Sequence, residues 1–145
     1  MIVEDLKPLH CLEEFDCPIA DGAYGEFLHL RLKRQDGTLI TVMDFEEDLI
    51  GAPFPPTLHG GTVAAMMEIA AYCQLVFDLD MAKSPKTVDM SIDYLRSGKP
   101  QDVFARAEVV RMGRRFANLH VVAWQEDHDK PIAKAHLHFL IIDEI

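Results

Sequence analysis

Residues 60–77 read GGTVAAMMEIAAYCQLVF, and this stretch decides the fold. Its side chains are apolar nearly all round a helix, interrupted only by Thr62, Glu68 and Gln74. An amphipathic surface helix would show a polar face, and this one shows none, so we expect a helix that is buried on most sides. Another part of the chain must supply the layer that covers it.

Segments with strand-like patterns lie on both sides of this helix. Before it, residues 24–34 and 39–45 alternate apolar and polar side chains around a turn at residues 35–38, which predicts a β-hairpin. After it, four segments have strand patterns: residues 87–95, 103–110, 116–124 and 132–142. Their short, turn-like separators suit antiparallel neighbours. The sequence therefore predicts an α+β hotdog fold, in which a curved antiparallel sheet wraps a long central helix.

The composition is that of a soluble globular protein. At 145 residues, with 49% hydrophobic and 26% charged side chains, the chain fits one domain over residues 1–145 and can fold without disulfides. No segment reaches the roughly 18 consecutive apolar residues that a membrane span needs, so no membrane partner is expected. Three cysteines cannot all pair within one chain, which favours a reducing cytoplasm. Cys73, in an apolar stretch, is expected to be a small core residue and not a nucleophile.

The charge distribution excludes one class of partner and locates another. A net charge of −10 argues against nucleic acid, because phosphate backbones require clusters of Lys and Arg. Residues 1–82 hold 4 basic and 15 acidic side chains, giving −11, whereas residues 83–145 hold 10 and 9, giving +1. A site for an anionic ligand is therefore expected toward the second half.

The helix itself carries two chemical groups. Gly60 and Gly61 open it, where free backbone N–H groups attract developing negative charge, so the Gly60 N–H is the expected oxyanion donor. Glu68 is the one side chain between Gly60 and Phe77 that ordinarily carries a charge at neutral pH, and burying a carboxylate without partners costs several kcal/mol. It could act as a general base toward water, attack a carbonyl directly, or serve a structural ion pair.

The spacing of these two groups predicts an oligomer. Gly60 and Glu68 are eight residues apart, roughly 12 Å at 1.5 Å per residue, which is too far for both to serve one carbonyl. If two such helices pack antiparallel across a dyad, Gly60 of one subunit approaches Glu68 of the other. Two equivalent sites per dimer follow.

The segment around the helix start resembles the signature of hotdog-fold acyl-CoA thioesterases of the phenylacetate-degradation type, within the 4-hydroxybenzoyl-CoA thioesterase superfamily. That motif is His-Gly-Gly with an acid nine residues after the His, matched here by His59 and Glu68. A second resemblance lies at residues 87–95, where Thr87 takes the position of a Ser or Thr near the active carboxylate. The resemblance implies acyl-CoA hydrolysis without a metal or cofactor, at sites shared between subunits of a homodimer or homotetramer.

Several polar residues have more than one reading. His59 could contact substrate or hold the turn through a hydrogen bond to the backbone, and we prefer the second. His136 and His138 share one face of a predicted strand, which permits metal binding, but no third ligand is evident. Binding the phosphates of coenzyme A needs cations, and the candidates are Arg96, Lys99, Arg111, Arg114 and Arg115. Of these, we predict that Arg96, Arg114 and Arg115 bind substrate, together with Gly61.

Two departures from the family pattern keep other functions open. An Asn usual six residues before the motif His is Pro53 here, and a Gly three before it is Pro56, which stiffens the loop. One alternative is therefore a catalytically weak or inactive acyl-thioester-binding protein. Another is a hydratase or dehydratase, since those enzymes also use the hotdog scaffold.

Overall fold

The structure, a computed structural model, describes Leu6, Leu9 and residues 11–19, 22–79 and 83–143. In chain order the elements are β1 Phe15–Pro18, α1 Gly22–Phe27, β2 Leu30–Gln35, β3 Thr38–Met43, β4 Ile50–Pro53, β5 Pro56–Leu58, α2 Gly60–Asp78, β6 Lys83–Tyr94, β7 Val103–Met112, β8 Phe116–Trp124 and β9 Ala133–Asp143. A single 3-10 turn, Glu47–Leu49, precedes β4.

Seven strands form one antiparallel sheet in the order β1-β2-β3-β7-β8-β9-β6. The four strands predicted after the helix are confirmed as β6 to β9. The predicted hairpin is also confirmed, as β2 and β3 joined at Asp36 and Gly37, whose positive φ values of 52° and 74° are those of a tight two-residue turn. The α+β hotdog arrangement expected from the sequence is therefore the one observed.

Helix α2 packs on the inner face of the sheet, against β7, β3 and β8 above all. Its sheet-facing side chains are buried, and Met66, Met67 and Leu75 are fully so. Opposite them the inner strand positions carry small or branched residues such as Ala105, Val121 and Leu137. Complete burial of one large aliphatic side chain contributes roughly 1.5–3 kcal/mol, so this contact accounts for much of the core.

The opposite side of α2 is covered less completely than predicted. Ala64, Ala65, Glu68, Ile69 and Tyr72 are only partly buried and fall on one stripe at helical spacing. A single sheet can cover only one side of a helix, so the expected burial on most sides is not reached within one subunit. By length and composition α2 could also cross a membrane, but half of the relevant window is buried in this fold, as in a core helix.

Two expectations for the first third of the chain are wrong. Residues 24–34 do not form one strand, because residues Gly22–Phe27 form the short helix α1 and β2 begins only at Leu30. The proline-rich stretch before α2, predicted as a loop, forms the two-stranded ribbon β4–β5. In that ribbon a Cβ on Gly51 would lie 2.7 Å from the Cα of His59, so the ribbon packs closely on the start of α2.

An ion-pair network ties β1 to the body of the sheet. The Arg31 guanidinium donates to Asp44 through Nε at 2.7 Å and to Asp16 through Nη1 at 2.6 Å. These hydrogen bonds, first to Asp44 and then to Asp16, raise the pKa of Arg31 above its ordinary value. The network lies at the sheet edge opposite β6, away from the start of α2.

Candidate active site at the start of the central helix

His59 holds the first turn of α2 in place. Its Nδ1 accepts a hydrogen bond from the Gly61 N–H at 2.9 Å, and its backbone carbonyl accepts from the Thr62 N–H and hydroxyl at 3.0 and 2.7 Å. Its own N–H donates to the Leu49 carbonyl at 2.9 Å. His59 is therefore a helix cap whose Nδ1 must be unprotonated to accept, which is the turn-holding role preferred from the sequence.

The Gly60 N–H remains available. Of the residues that the structure describes, none accepts a hydrogen bond from it, as expected for a first-turn amide. The Gly61 N–H, by contrast, donates to His59 and cannot serve as an oxyanion donor at the same time. Gly61 can contribute to substrate binding by letting the substrate approach the backbone closely. Gly60 also lines a cavity of about 390 Å³, together with Val63, Tyr94 and Arg96.

Tyr94, at the end of β6, is a site residue that the sequence patterns did not single out. Its hydroxyl donates to the Gly60 carbonyl at 2.7 Å, and a Cβ on Gly60 would meet its ring at 3.2 Å. A side chain at position 60 would therefore require the Tyr94 ring to shift by a few tenths of an ångström. The clue available beforehand was the alternation of residues 87–95, which places Met90, Ile92 and Tyr94 on the helix-facing side.

Glu68 lies on the partly exposed stripe of α2. Its carboxylate makes no hydrogen bond or ion pair with any other residue of the described part of the chain. It is two helical turns beyond Gly60, roughly 12 Å along the axis, so the two groups do not meet within one subunit. The alternative of a structural ion pair for Glu68 finds no partner among the described residues.

The structure also separates the other predicted site residues into two groups. Arg96 lines the same cavity as Gly60. Thr87 is seven residues before Tyr94 on β6, roughly 23 Å away at the rise of a strand, and therefore lies toward the far end of α2. Arg114 and Arg115 are exposed in the β7–β8 turn at that far end, where the Arg115 carbonyl accepts from the Ile141 N–H at 2.7 Å.

The histidines named as possible ligands lie on the outer face of the sheet. His138 Nδ1 is 2.6 Å from Asp89 Oδ1, and the rings of His120 and His136 meet edge to face at 4.1 Å. Within residues 11–19, 22–79 and 83–143, no group of three or more His, Cys, Asp or Glu is placed to hold a metal ion.

Two of the three cysteines, Cys17 and Cys73, lie in surroundings that disfavour the reactive thiolate. Cys73 is completely buried in the core, as predicted. Burial, with a smaller contribution from Asp16, raises the pKa of the Cys17 thiol, which lowers its reactive thiolate fraction.

Comparisons with known proteins agree with this geometry. The family model of the thioesterase superfamily matches residues 56–132, which include the helix start and most of β6 to β8. A Chromobacterium violaceum protein of known structure is 32% identical, with 95% of this chain and 94% of that chain covered and a TM-score of 0.72. No curated protein matches.

Two more distant structures share the fold. A Bacillus halodurans protein solved with CoA is 17% identical over 85% of this chain and 79% of its own, with a TM-score of 0.73. A putative thioesterase of Ralstonia eutropha, described as phenylacetic acid degradation-related, is 20% identical over 81% and 89%, with a TM-score of 0.72. With the family model covering more than half of its length, the chain belongs to the thioesterase superfamily.

Proposed function

We propose that this protein hydrolyses an acyl-CoA thioester to a free acid and CoA, as an enzyme of the phenylacetate-degradation type. The observation that carries the proposal is the Gly60 N–H at the start of α2, which lines a cavity and has no acceptor among the described residues, with the Glu68 carboxylate, also without a partner among them, two turns along the same helix. The CoA bound to the Bacillus halodurans protein and the description of the Ralstonia eutropha protein support this substrate class.

The two groups have different roles in the reaction. In one route Glu68 accepts a proton from water as the water oxygen attacks the thioester carbonyl carbon. The carbonyl oxygen becomes an oxyanion and accepts a hydrogen bond from the Gly60 N–H, which stabilises the tetrahedral intermediate. When that intermediate collapses, the carbon–sulfur bond breaks, the thiol of CoA leaves with the proton, and the acid remains. In the other route a carboxylate oxygen of Glu68 attacks the carbonyl carbon, the carbon–sulfur bond breaks, and CoA leaves as a thiolate. Water then hydrolyses the resulting anhydride, which releases the acid, restores the Glu68 carboxylate and supplies the proton that the thiolate takes up.

A second subunit must bring the two groups together. The stripe of α2 around Glu68 is partly exposed, and β6 is an edge strand of 12 residues that, among the described strands, pairs with β9 alone. Val88 on β6 is 57% exposed, and Phe54 in the turn between β4 and β5 is 92% exposed, which adds apolar surface for a partner to cover. Packing two subunits about a dyad through this surface moves Glu68 of the partner subunit toward Gly60, in a homodimer or in a homotetramer built from such dimers.

The same dyad accounts for the separation of the predicted site residues. Gly60, Tyr94 and Arg96 lie at one end of β6, whereas Thr87 lies near the other end, as do Arg114 and Arg115. In an antiparallel dimer, the end of the partner's β6 that carries Thr87 lies beside Gly60, Tyr94 and Arg96 of the first subunit. We therefore assign Thr87 a position next to the attacking carboxylate, contributed from the subunit that supplies Glu68.

An acyl-thioester-binding protein without effective turnover is the second candidate, favoured by Pro53. This residue lies in β4 of the ribbon that packs on His59, and its side chain has no donor or acceptor for ordering water. If the attacking water is not ordered by another group, the protein would bind acyl-CoA and release the acid slowly.

A panel of acyl-CoAs tests the proposed function directly. We expect release of free CoA thiol, followed with a thiol reagent, from at least one of acetyl-, hexanoyl-, palmitoyl-, benzoyl- and phenylacetyl-CoA. Binding of the same compounds to the protein without thiol release would identify the non-hydrolysing alternative. Loss of the conjugated absorbance of crotonyl-CoA, in the absence of thiol release, would instead indicate a hydratase.

The shared site predicts complementation between two inactive variants. In a heterodimer of a Glu68→Gln subunit and a Gly60→Pro subunit, one site carries both changes and the other carries neither. Purified by two different affinity tags, this heterodimer should recover about half of the wild-type kcat, because one of two equivalent sites is intact. A heterodimer as inactive as its parent homodimers would place both groups of each site in the same subunit.

A further inference from the structure

The cavity at Gly60 continues into a groove along the surface. A second cavity of about 180 Å³ adjoins the first, and the two share Arg96, Ser97 and Ile132 as lining residues. Beyond these shared residues the second cavity is lined by Lys99 and Lys130. A ligand whose carbonyl lies at Gly60 therefore has a continuous path past Arg96 toward the two lysines.

Both walls of this groove are held in place by hydrogen bonds. The side-chain amide of Gln125 accepts from the Lys99 N–H at 2.9 Å and donates to the Lys99 carbonyl at 2.8 Å. On the other side the Arg96 guanidinium donates to the Pro131 carbonyl at 2.8 Å, and the Leu95 N–H donates to the Ile132 carbonyl at 2.8 Å. The groove is therefore formed before a ligand arrives, which lowers the entropic cost of binding.

The groove carries positive charge in a chain of net charge −10. Its lining includes Arg96, Lys99 and Lys130 against Glu126 and Asp127, which gives +1. The Lys99 Nζ is 4.0 Å from Glu126 Oε1, but both side chains are about two-thirds exposed, at 63% and 67%. An ion pair this long and exposed contributes little, so an anion can compete for the ammonium group.

We propose that the outer part of this groove, the lysine subsite formed by Lys99 and Lys130, binds the phosphate groups of the nucleotide half of CoA. This inference rests on the proposed function. In CoA the pantetheine arm separates the thioester from the diphosphate, so the cations that bind phosphate must lie away from the oxyanion donor. Lys99 and Lys130 meet that condition in the subunit that supplies Gly60, and ammonium groups bind phosphate oxygens through charge-assisted hydrogen bonds.

The test compares CoA with pantetheine, which lacks the nucleotide and its phosphates. In the double variant Lys99→Glu/Lys130→Glu, titration calorimetry at low ionic strength should show CoA binding weakened by at least roughly tenfold and pantetheine binding unchanged, because only CoA has phosphates to repel. The matched control is Arg106→Glu, a charge reversal on the outer face of β7, which should leave binding of both compounds unchanged. The variant Glu126→Gln should strengthen CoA binding alone.

The outcomes separate this inference from the proposed function. Equal weakening of CoA and pantetheine, or no weakening of either, would overturn the lysine subsite even if the protein hydrolyses acyl-CoA. Selective loss of CoA binding in a protein that hydrolyses no acyl-CoA would support the subsite and overturn the hydrolase. A wild-type protein that binds neither compound and hydrolyses no acyl-CoA would overturn both.

Discussion

Replacement of Glu68 by Gln is expected to lower kcat for acyl-CoA hydrolysis by roughly 10² to 10⁴-fold, the usual contribution of a general base. The amide has nearly the same size and shape as the carboxylate, but it cannot accept a proton from water or attack a carbonyl as an anion. Glu68 makes no hydrogen bond or ion pair with the rest of the described chain, so no structural partner is lost in the subunit. Binding of CoA should change little.

Asp78→Asn is the matched control, since it removes another carboxylate from the same helix. Asp78 is exposed at the end of α2 and accepts a hydrogen bond from Gln74 at 3.2 Å, far from the first turn. Steady-state kinetics should show a near wild-type kcat for this variant. A Glu68→Gln protein with undiminished kcat would remove Glu68 from the mechanism, and an equal loss in both variants would point to a general effect of charge on the helix.

The central helix and the strands after it could be predicted because their patterns are long. Fifteen of the 18 positions from Gly60 to Phe77 are apolar or glycine, a run too long for one strand, and β6 to β9 each have at least nine residues. The stretch before β2 is different. Tyr24 and Phe27 stack on each other within α1, an i, i+3 spacing too short to distinguish a helical turn from strand alternation.

The ribbon β4–β5 was missed for another reason. Its prolines indicate a turn correctly, but proline lacks the N–H of a regular strand, so the local pairing of Ile50 with Leu58 and of Pro53 with Pro56 was not expected. Pro53 and Pro56 are compatible with it because a short, exposed ribbon needs few backbone donors.

The candidate site was predictable where its chemistry is local in the chain. The cap by His59, the free Gly60 N–H and the position of Glu68 all follow from spacing along one helix. Tyr94 and Gln125 could not be predicted from local spacing, because each makes its hydrogen bond to a backbone group more than 20 residues away in sequence. The division of the arginines between two ends of the sheet likewise depends on strand register, which sequence patterns leave undetermined.

Replacement of Gly60 by Pro tests the oxyanion donor by deleting the N–H itself. Proline is favoured at the first position of a helix, and the preceding residue, His59, has φ −65° and ψ 124°, an extended conformation that a following proline accepts. The helix should therefore form. Loss of one oxyanion donor is expected to lower kcat by roughly 10² to 10³-fold.

Gly60→Ala separates the lost N–H from the added carbon. Either substitution places a Cβ 3.2 Å from the ring of Tyr94, which is 54% exposed and has room to shift. The alanine variant keeps the N–H, so crowding alone determines its effect, and we expect it to retain much more activity than the proline variant. Circular dichroism and thermal melting would verify that both are folded. Equal loss of kcat in the two folded variants would mean that the ring contact matters and that the oxyanion takes its hydrogen bond from another group.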